Sequence, residues 1–183
     1  MFKFRKDNNR AGKLTHQKIH VGCGPKNLLE DWCNVDIRGF PGIDVVMDVT
    51  QEWPWKEIEY VYGEHFIEHL SLEGAISFLE SAGNSLKAGG KIRVSTPSLE
   101  WVLTTHFTFQ EADPQVLNET LKTNRAFHGW GHQFLYTKPM LSWLLTTMGY
   151  ADVTFCQYGE SSDPNLRNLE RHGGYSESHG FPS

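Results

Sequence analysis

The chain alternates short apolar runs with segments of helical periodicity. Apolar runs of about 4–8 residues that end at a glycine, a proline or an acid are typical of buried strands. Six runs predict strands at KIHVG (18–22), WCNVDI (32–37), DVVMDV (44–49), IEYVYG (58–63), KIRVSTP (91–97) and ADVTFCQY (151–158). Leucine and isoleucine at helical spacing after Ser71 predict one helix, and KPMLSWLLTTMGY (138–150) predicts another.

This order of elements predicts an α/β fold. Strands that alternate with helices form a mostly parallel sheet with helices on both faces, and a ligand then binds at the carboxyl ends of the strands. We predict one domain over residues 18–160, with a helical or irregular lid inserted at 98–137, after the fifth strand. Residues 1–17 are expected to be a disordered basic tail. Residues 161–183 are expected to be a polar segment in which a seventh strand is doubtful.

Length and charge narrow the function classes. A chain of 183 residues buries enough surface to fold without disulfides or a structural metal. Residues 1–18 hold six of the 17 Lys and Arg and one of the 22 Asp and Glu, which leaves 11 basic and 21 acidic residues, a net charge of about −10, for the rest. An acidic body lacks the basic groove that binding to nucleic acid requires. The three cysteines form no C-x-x-C pair, and no apolar run follows the basic N-terminus, so we expect a cytoplasmic protein without a membrane anchor.

The stretch EHFIEHL (64–70) contains the zinc-hydrolase pattern H-x-x-E-H at His65, Glu68 and His69. That pattern needs a helix that runs through both histidines. Here Gly63 ends a strand just before it, and Ser71 is placed to cap the next helix, so only about two turns are available. No third ligand is evident either. We therefore predict a loop and a single helical turn after the fourth strand, and no metal.

The first strand ends in a tight turn, His20-Val-Gly22-Cys-Gly24-Pro. A G-x-G turn lets the backbone approach a ligand and aim its N–H groups at it. The full dinucleotide fingerprint is absent, since Asn27 stands where a third glycine would fall. Asp36, at the end of the second strand, fits the two hydroxyls of a ribose, and Asp48, after the third strand, could accept from an exocyclic adenine amine.

Four stretches of the chain, in their order, resemble the class I S-adenosylmethionine-dependent methyltransferases. They are GCGPKNLLEDWCNVDI, DVTQEWPW, GEHFIEHL and LKAGGKIRVSTPSLEW. The resemblance runs from about residue 18 to residue 160 and is nearest to small members with the pattern GCGP…NVDI…EHxLEHL…LKPGG. It implies a Rossmann-like methyltransferase fold, with the donor S-adenosyl-L-methionine lying across the first four strands. Ala88 stands where the family usually has proline, and the final strand is not evident.

The resemblance also implies a donor site. Its members would come from the turn after the first strand, from the ends of the second and third strands, and from the end of the fourth. They would be Gly22, Cys23, Gly24, Asp36, Ile37, Asp48, Val49, Gly63 and Glu64. The turn would lie under the methionine moiety, Asp36 at the ribose, Asp48 and the Val49 backbone at the adenine, and Gly63 and Glu64 near the ammonium and sulfonium groups.

The insert at 98–137 is the expected acceptor site, because a long insert in a compact domain is usually functional. It holds seven aromatic residues and three histidines in 40 residues, and one or two lid helices are expected in it. His132 and His128 are candidate general bases, with Glu64 and His65 as alternatives, and a histidine that only fixes the lid is an equal possibility. The predicted activity is methyl transfer to a small hydroxyl- or amine-bearing acceptor, such as a sugar or metabolite, by a monomer or homodimer. The alternatives are a nucleotide-binding oxidoreductase or epimerase, and a non-catalytic binding module with the same fold.

Overall fold

The structure is a computed structural model that describes residues 17–105 and 114–171. The basic tail predicted for residues 1–17, except for Gln17, lies outside the described residues. The same holds for the end of the predicted polar segment, residues 172–183.

Five strands and four α-helices make up the described fold. The strands are β1 (Lys18–Val21), β2 (Cys33–Asp36), β3 (Val45–Val46), β4 (Ile58–Glu64) and β5 (Leu86–Ser95). The helices are α1 (Leu72–Ser85), α2 (Leu99–Thr105), α3 (Pro114–His128) and α4 (Lys138–Thr147), with short 3-10 helices at Ile67–His69 and Pro164–Leu166. The first five predicted strands are thus confirmed, although β3 is shorter and β5 longer than their apolar runs suggested.

The five strands form one parallel sheet in the order β3-β2-β1-β4-β5. In the register of the sheet, Ile19 of β1 lies opposite Cys33 of β2 on one side and opposite Val61 of β4 on the other. The chain runs outward from β1 to β3 and then returns to start β4 on the other side of β1. The order therefore reverses between β1 and β4, and ligands of open α/β sheets bind at the carboxyl ends of the strands beside such a point.

Alternate residues of the central strands build the main core on one face of the sheet. Ile19, Val35 and Val61 are fully buried there, together with Phe78 of α1 and Leu144 of α4. Phe78 and Leu144 come from the two helices that the leucine spacing predicted. The amphipathic pattern of these helices therefore directs their apolar sides to the sheet.

Among the described residues, loops and a short 3-10 helix pack on the opposite face. Its buried cluster joins Trp32 and Tyr62 to Leu29, Leu166 and Leu169, of which the last two belong to the predicted polar C-terminal segment. This segment lies on the sheet because its two leucines, three residues apart, fill the space beside the aromatic rings.

Side-chain caps explain where α1 and α4 begin. The Ser71 hydroxyl accepts from Gly74 N at 3.1 Å, and the Thr137 hydroxyl accepts from Met140 N at 3.2 Å. Each bond satisfies a backbone donor that the first helical turn leaves free. The predicted role of Ser71 as N-cap is confirmed.

The strand predicted at residues 151–158 is wrong, because that segment pairs with no strand in the described part of the chain. Asp152 has a φ of 53°, outside the strand region. Phe155 is 45% exposed and Tyr158 41% exposed. An apolar run becomes a strand only if an edge pairs with it, and here the chain passes from α4, packed in the main core, to Leu166 and Leu169 on the other face of the sheet.

The insert folds into α2 and α3, as predicted for a helical lid. Val102, Ala126 and Leu135 form its small buried cluster. The two ends of the insert meet where Leu99 N donates to Tyr136 O at 3.0 Å, beside a bridge between Ser98 and Tyr136. This closure places the lid next to the carboxyl end of β5.

No helix within residues 17–105 and 114–171 has the length and apolar character needed to cross a membrane.

Candidate functional site

The turn after β1 has the conformation that its two glycines allow. Gly22 has a φ of 60° and Gly24 a φ of 58°, in the left-handed region that L-residues avoid. Apart from its chain neighbours, no residue that the structure describes has an atom within 4 Å of the position that a Cβ on Gly24 would take, so this side of the turn is open there. The Cys23 side chain between them is 1% exposed, and burial raises the pKa of its thiol to about 12. Cys23 is therefore a neutral packing residue, and the open face of the turn is at Gly24.

Asp36 is held against this turn. Its Oδ2 accepts from Gly24 N at 3.1 Å, and its Oδ1 accepts from Arg38 N at 2.9 Å. The residue is only 5% exposed, whereas the next one, Ile37, is 65% exposed. A carboxylate offers about four lone-pair sites, so two backbone bonds orient the group and leave it able to accept from a ligand. The structure thus brings Gly24 and Asp36 together, as the sequence predicts for parallel strand ends.

Asp48 and Val49 lie in the turn after β3. Asp48 Oδ1 accepts from Thr50 Oγ1 at 2.7 Å and from Thr50 N at 3.0 Å, and the bond from the Thr50 side chain is the main reason that the Asp48 pKa is lowered. Val49 O accepts from Trp53 Nε1 at 2.8 Å. Asp48 is therefore ionised and stabilises its own turn, and its role toward adenine stays a prediction.

Gly63 and Glu64 end β4, on the other side of β1. A Cβ on Gly63 would lie 3.0 Å from Val21 Cγ2, so any larger residue here would require Val21 to shift. Glu64 is 5% exposed, and both of its carboxylate oxygens accept from Arg171 N, at 2.9 and 3.0 Å. The C-terminal segment therefore reaches the carboxyl end of β4 and supplies an N–H group to the carboxylate that was predicted to lie near the ammonium of the donor.

The EHFIEHL stretch forms the predicted loop and short turn. His65 has a φ of 44°, which no α-helix contains, and the helical part is one 3-10 turn at Ile67–His69. Phe66 packs against both Gly22 and Gly63. Sequence reasoning missed Phe66. The available signal was an aromatic residue three positions after Gly63, at the same end of the sheet as the glycine turn.

Half-buried His65 and fully buried Glu68 form a pair within this stretch. His65 Nδ1 lies 3.1 Å from Glu68 Oε1, and Thr96 Oγ1 donates to Glu68 Oε2 at 3.0 Å. Burial alone lowers the pKa of His65, but the hydrogen bond with Glu68 and the charges of Glu68 and Glu64 outweigh it, and the net pKa is raised. A raised pKa makes His65 a weaker candidate for a base than an ordinary histidine at neutral pH.

The two lid histidines have different surroundings. His128 is exposed at the end of α3. His132 is half-buried, with Nδ1 at 2.6 Å from Ala126 O, and its ring lies 5.0 Å from that of His69. Because a carbonyl oxygen only accepts, His132 Nδ1 carries the proton and Nε2 keeps a lone pair. Nε2 of His132 is thus available to accept a proton, and the role of His132 as the base stays a prediction.

The C-terminal segment takes part in the site although its composition is polar. Glu170 is 6% exposed and pairs with Arg93 of β5, and Asp163 pairs with Lys91 at 2.7 Å. Bonds from Lys91, Asn165 and Tyr60 lower the pKa of Asp163 to about 2, so it is ionised at neutral pH. The two leucines in this segment were the only signal in the sequence that it would pack on the sheet.

Comparison with solved structures identifies the architecture. A SAM-dependent methyltransferase from Archaeoglobus fulgidus superposes with a TM-score of 0.51 at 18% identity, over 93% of this chain and 79% of its own. LepI in complex with SAM matches with a TM-score of 0.41 at 9% identity, over 72% of this chain and 30% of its own. No family model and no curated protein matches the sequence. The first likeness, together with the strand order and the turn after β1, shows that the chain has the Rossmann-like fold of the methyltransferases.

Proposed function

We propose that the protein is an S-adenosylmethionine-dependent methyltransferase that acts on a small hydroxyl- or amine-bearing acceptor, such as a sugar or metabolite. The observation that carries the proposal is the buried Asp36 carboxylate bonded to Gly24 N at 3.1 Å, beside an open glycine turn where the strand order reverses. A nucleoside needs such a carboxylate for its ribose and such a turn for the group beyond the ribose. The likeness in fold supports the same reading.

The proposal assigns the residues of this edge to separate parts of the donor. Asp36 would accept from both ribose hydroxyls, and Ile37, exposed beside it, offers an apolar surface to the adenosine. The turn from Gly22 to Gly24 would lie under the methionine moiety, and the space that the described residues leave beside Gly24 supports this assignment. Asp48 and the Val49 backbone would face the adenine, with Gly63 and Glu64 near the ammonium group.

The donor would supply an activated methyl group on its sulfonium. The chain then has to align the acceptor for in-line displacement, exclude water and receive the acceptor's proton. The lid helices α2 and α3 lie at the correct edge for the first two tasks. His132, with its free Nε2 lone pair, is the proposed base. The acceptor, a cytoplasmic location and the oligomeric state stay predictions.

Parallel calorimetric titrations with S-adenosylmethionine, S-adenosylhomocysteine and NAD test the proposal. We expect saturable binding of the first two and none of NAD. At about 100 times its dissociation constant, S-adenosylhomocysteine should add about 2.7 kcal/mol to the free energy of unfolding. Binding of NAD without S-adenosylhomocysteine would favour an oxidoreductase, and a flat response to all three would favour a non-catalytic module.

Transfer itself is tested with a methyl-labelled donor and a library of sugars and metabolites. Once a product is found, His132→Asn should lower turnover by at least ~10²-fold without changing the affinity for S-adenosylhomocysteine. The matched variant in the same lid is His128→Asn, at an exposed position. Equal activity of wild type and both variants would remove the histidines from the reaction.

A further inference from the structure

Three potential metal ligands converge at the junction of the lid and the end of β4. Glu68, His69 and His132 each bring one ligating atom to within 4.8 Å of the other two. Glu68 is fully buried, and both histidines are partly exposed. Two imidazoles and a carboxylate are a ligand set typical of zinc and of other first-row divalent metals.

Hydrogen bonds fix the tautomer of both imidazoles so that Nε2 is the nitrogen left for a metal. His132 Nδ1 lies 2.6 Å from Ala126 O, and His69 Nδ1 lies 3.3 Å from Gly131 O. Since carbonyl oxygens only accept, each Nδ1 carries the proton and each Nε2 keeps its lone pair. Metal-binding histidines almost always donate their second N–H in this way.

Hydrogen bonds also orient the Glu68 carboxylate. Glu68 Oε1 bonds to His65 Nδ1 at 3.1 Å, and Glu68 Oε2 accepts from Thr96 Oγ1 at 3.0 Å. Each oxygen keeps a further lone pair for an ion. His65 therefore supports the ligand Glu68 instead of being a ligand itself.

Backbone bonds join the two segments that supply the ligands. Gln133 N donates to Glu68 O at 2.7 Å, and Gln133 Nε2 donates to His69 O at 2.7 Å. These bonds tie Gln133, the neighbour of His132, to Glu68 and His69, so the fold holds the two segments that carry the ligands side by side. A tetrahedral zinc with bond lengths of about 2.1 Å needs ligating atoms about 3.4 Å apart, so binding would draw the three atoms together from a spacing of up to 4.8 Å.

We propose that Glu68, His69 and His132 bind one divalent first-row transition-metal ion, of the zinc type, and leave a fourth position for water or an acceptor hydroxyl. The two nitrogens favour such an ion over Mg²⁺ and Ca²⁺, which take oxygen ligands. The set differs from the H-x-x-E-H arrangement, because the third ligand comes from the lid and His65 stands behind the carboxylate. It would replace the sequence-based prediction of a protein without metal.

The ion would also change the role of His132. A coordinated Nε2 has no lone pair left for a proton, so in the metal-loaded protein His132 is a ligand and not the base. A hydroxyl group bound at the fourth position would lose its proton more readily, because a metal lowers the pKa of an oxygen that it binds. Metal binding itself does not depend on the proposed methyl transfer.

Metal binding is tested on the full chain after treatment with chelator. Zinc is titrated in competition with a chromophoric chelator. Co²⁺ is added in a separate experiment for its visible spectrum, and Mg²⁺ is added to zinc-loaded protein as a competing cation that prefers oxygen ligands. We expect one equivalent of zinc, a Co²⁺ spectrum of a four-coordinate nitrogen–oxygen site, and no displacement by millimolar Mg²⁺. Absence of a stoichiometric site, or displacement of zinc by Mg²⁺, would overturn the proposal.

Matched variants assign the ligands. His69→Asn and His132→Asn should each weaken zinc binding by more than ~10²-fold, and Thr96→Val, behind the carboxylate, by about 10–100-fold. His128→Asn, in the same lid but exposed, should bind zinc like the wild type. Equal affinity of wild type, His69→Asn and His132→Asn would refute the assignment.

Two further measurements separate a lost ligand from a lost fold or function. Each variant is melted in chelator, where a ligand variant should unfold at the temperature of the metal-free wild type. S-adenosylhomocysteine is titrated in the same chelator, so that donor binding is measured without the ion. Donor binding without zinc binding would refute only the metal site, and the reverse would refute only the proposed function.

Discussion

Replacing Gly22 and Gly24 separately by alanine tests how the turn after β1 is built. Both glycines have φ close to 60°, so either alanine takes on the left-handed strain of about 1–2 kcal/mol. At Gly22 the new Cβ would also lie 2.9 Å from Phe66 Cγ, whereas at Gly24 it would meet nothing within 4 Å. Phe66 cannot easily turn away, because its ring packs on Phe78 at a centroid distance of 5.2 Å.

The expected difference follows from that contact. Overpacking a filled site costs about 1–3 kcal/mol, so Gly22→Ala should lower the free energy of unfolding by roughly 2–5 kcal/mol and Gly24→Ala by only about 1–2 kcal/mol. Urea denaturation of both variants measures the two values. Gly24→Ala should instead weaken the binding of S-adenosylhomocysteine, because the methyl group of the new alanine enters the open space where the proposed donor would lie.

A double-mutant cycle with Phe66→Ala isolates the contact. If Phe66 is the obstacle, Gly22→Ala should cost at least about 1 kcal/mol less in the Phe66→Ala background than in the wild type, and Gly24→Ala should cost the same in both. Equal losses for the two glycines, or no coupling between Gly22 and Phe66, would refute this account of the turn.

Three other predictions concern single side chains. Asp36→Ala should weaken S-adenosylhomocysteine by about 1.5–3 kcal/mol in calorimetry, because both ribose hydroxyls lose a charged acceptor, and unchanged affinity would speak against the proposed donor site. Burial lowers the pKa of His20 from its ordinary value near 6.5 to about 4. The unfolded chain therefore binds more protons between these values, so stability should be complete above pH ~6.5 and fall by about 3 kcal/mol as the pH drops to ~4. Urea titrations across that range should lose most of this slope in His20→Asn, and an equal slope in the variant would contradict the assignment. Arg93→Ala should lower the free energy of unfolding by about 3 kcal/mol, since it leaves the buried Glu170 carboxylate without its cation, and a loss below about 1 kcal/mol would show that the pair contributes little.

The sequence alone determined the elements that depend on neighbours along the chain. The apolar runs placed the first five strands, and Ser71 marked the start of α1, because a side-chain cap is a contact over three residues. The position of Asp36 beside Gly24 also followed, since the ends of adjacent parallel strands must meet. Such features need only a period, a cap or a turn, and each is visible in a short window.

The tertiary structure decided what distant segments do to one another. His69 meets the lid at Gly131, 62 residues away, and Glu64 meets Arg171 over 107 residues, so neither partner could be read from local pattern. The same applies to the run at 151–158, which has the pattern of a strand but pairs with no strand in the part of the chain that the structure describes. The polar C-terminal segment shows the converse, because Leu166 and Leu169 are buried only where Trp32 and Tyr62 leave space for them. Local propensity is a property of a window, whereas burial and the convergence of Glu68, His69 and His132 depend on how the whole chain packs.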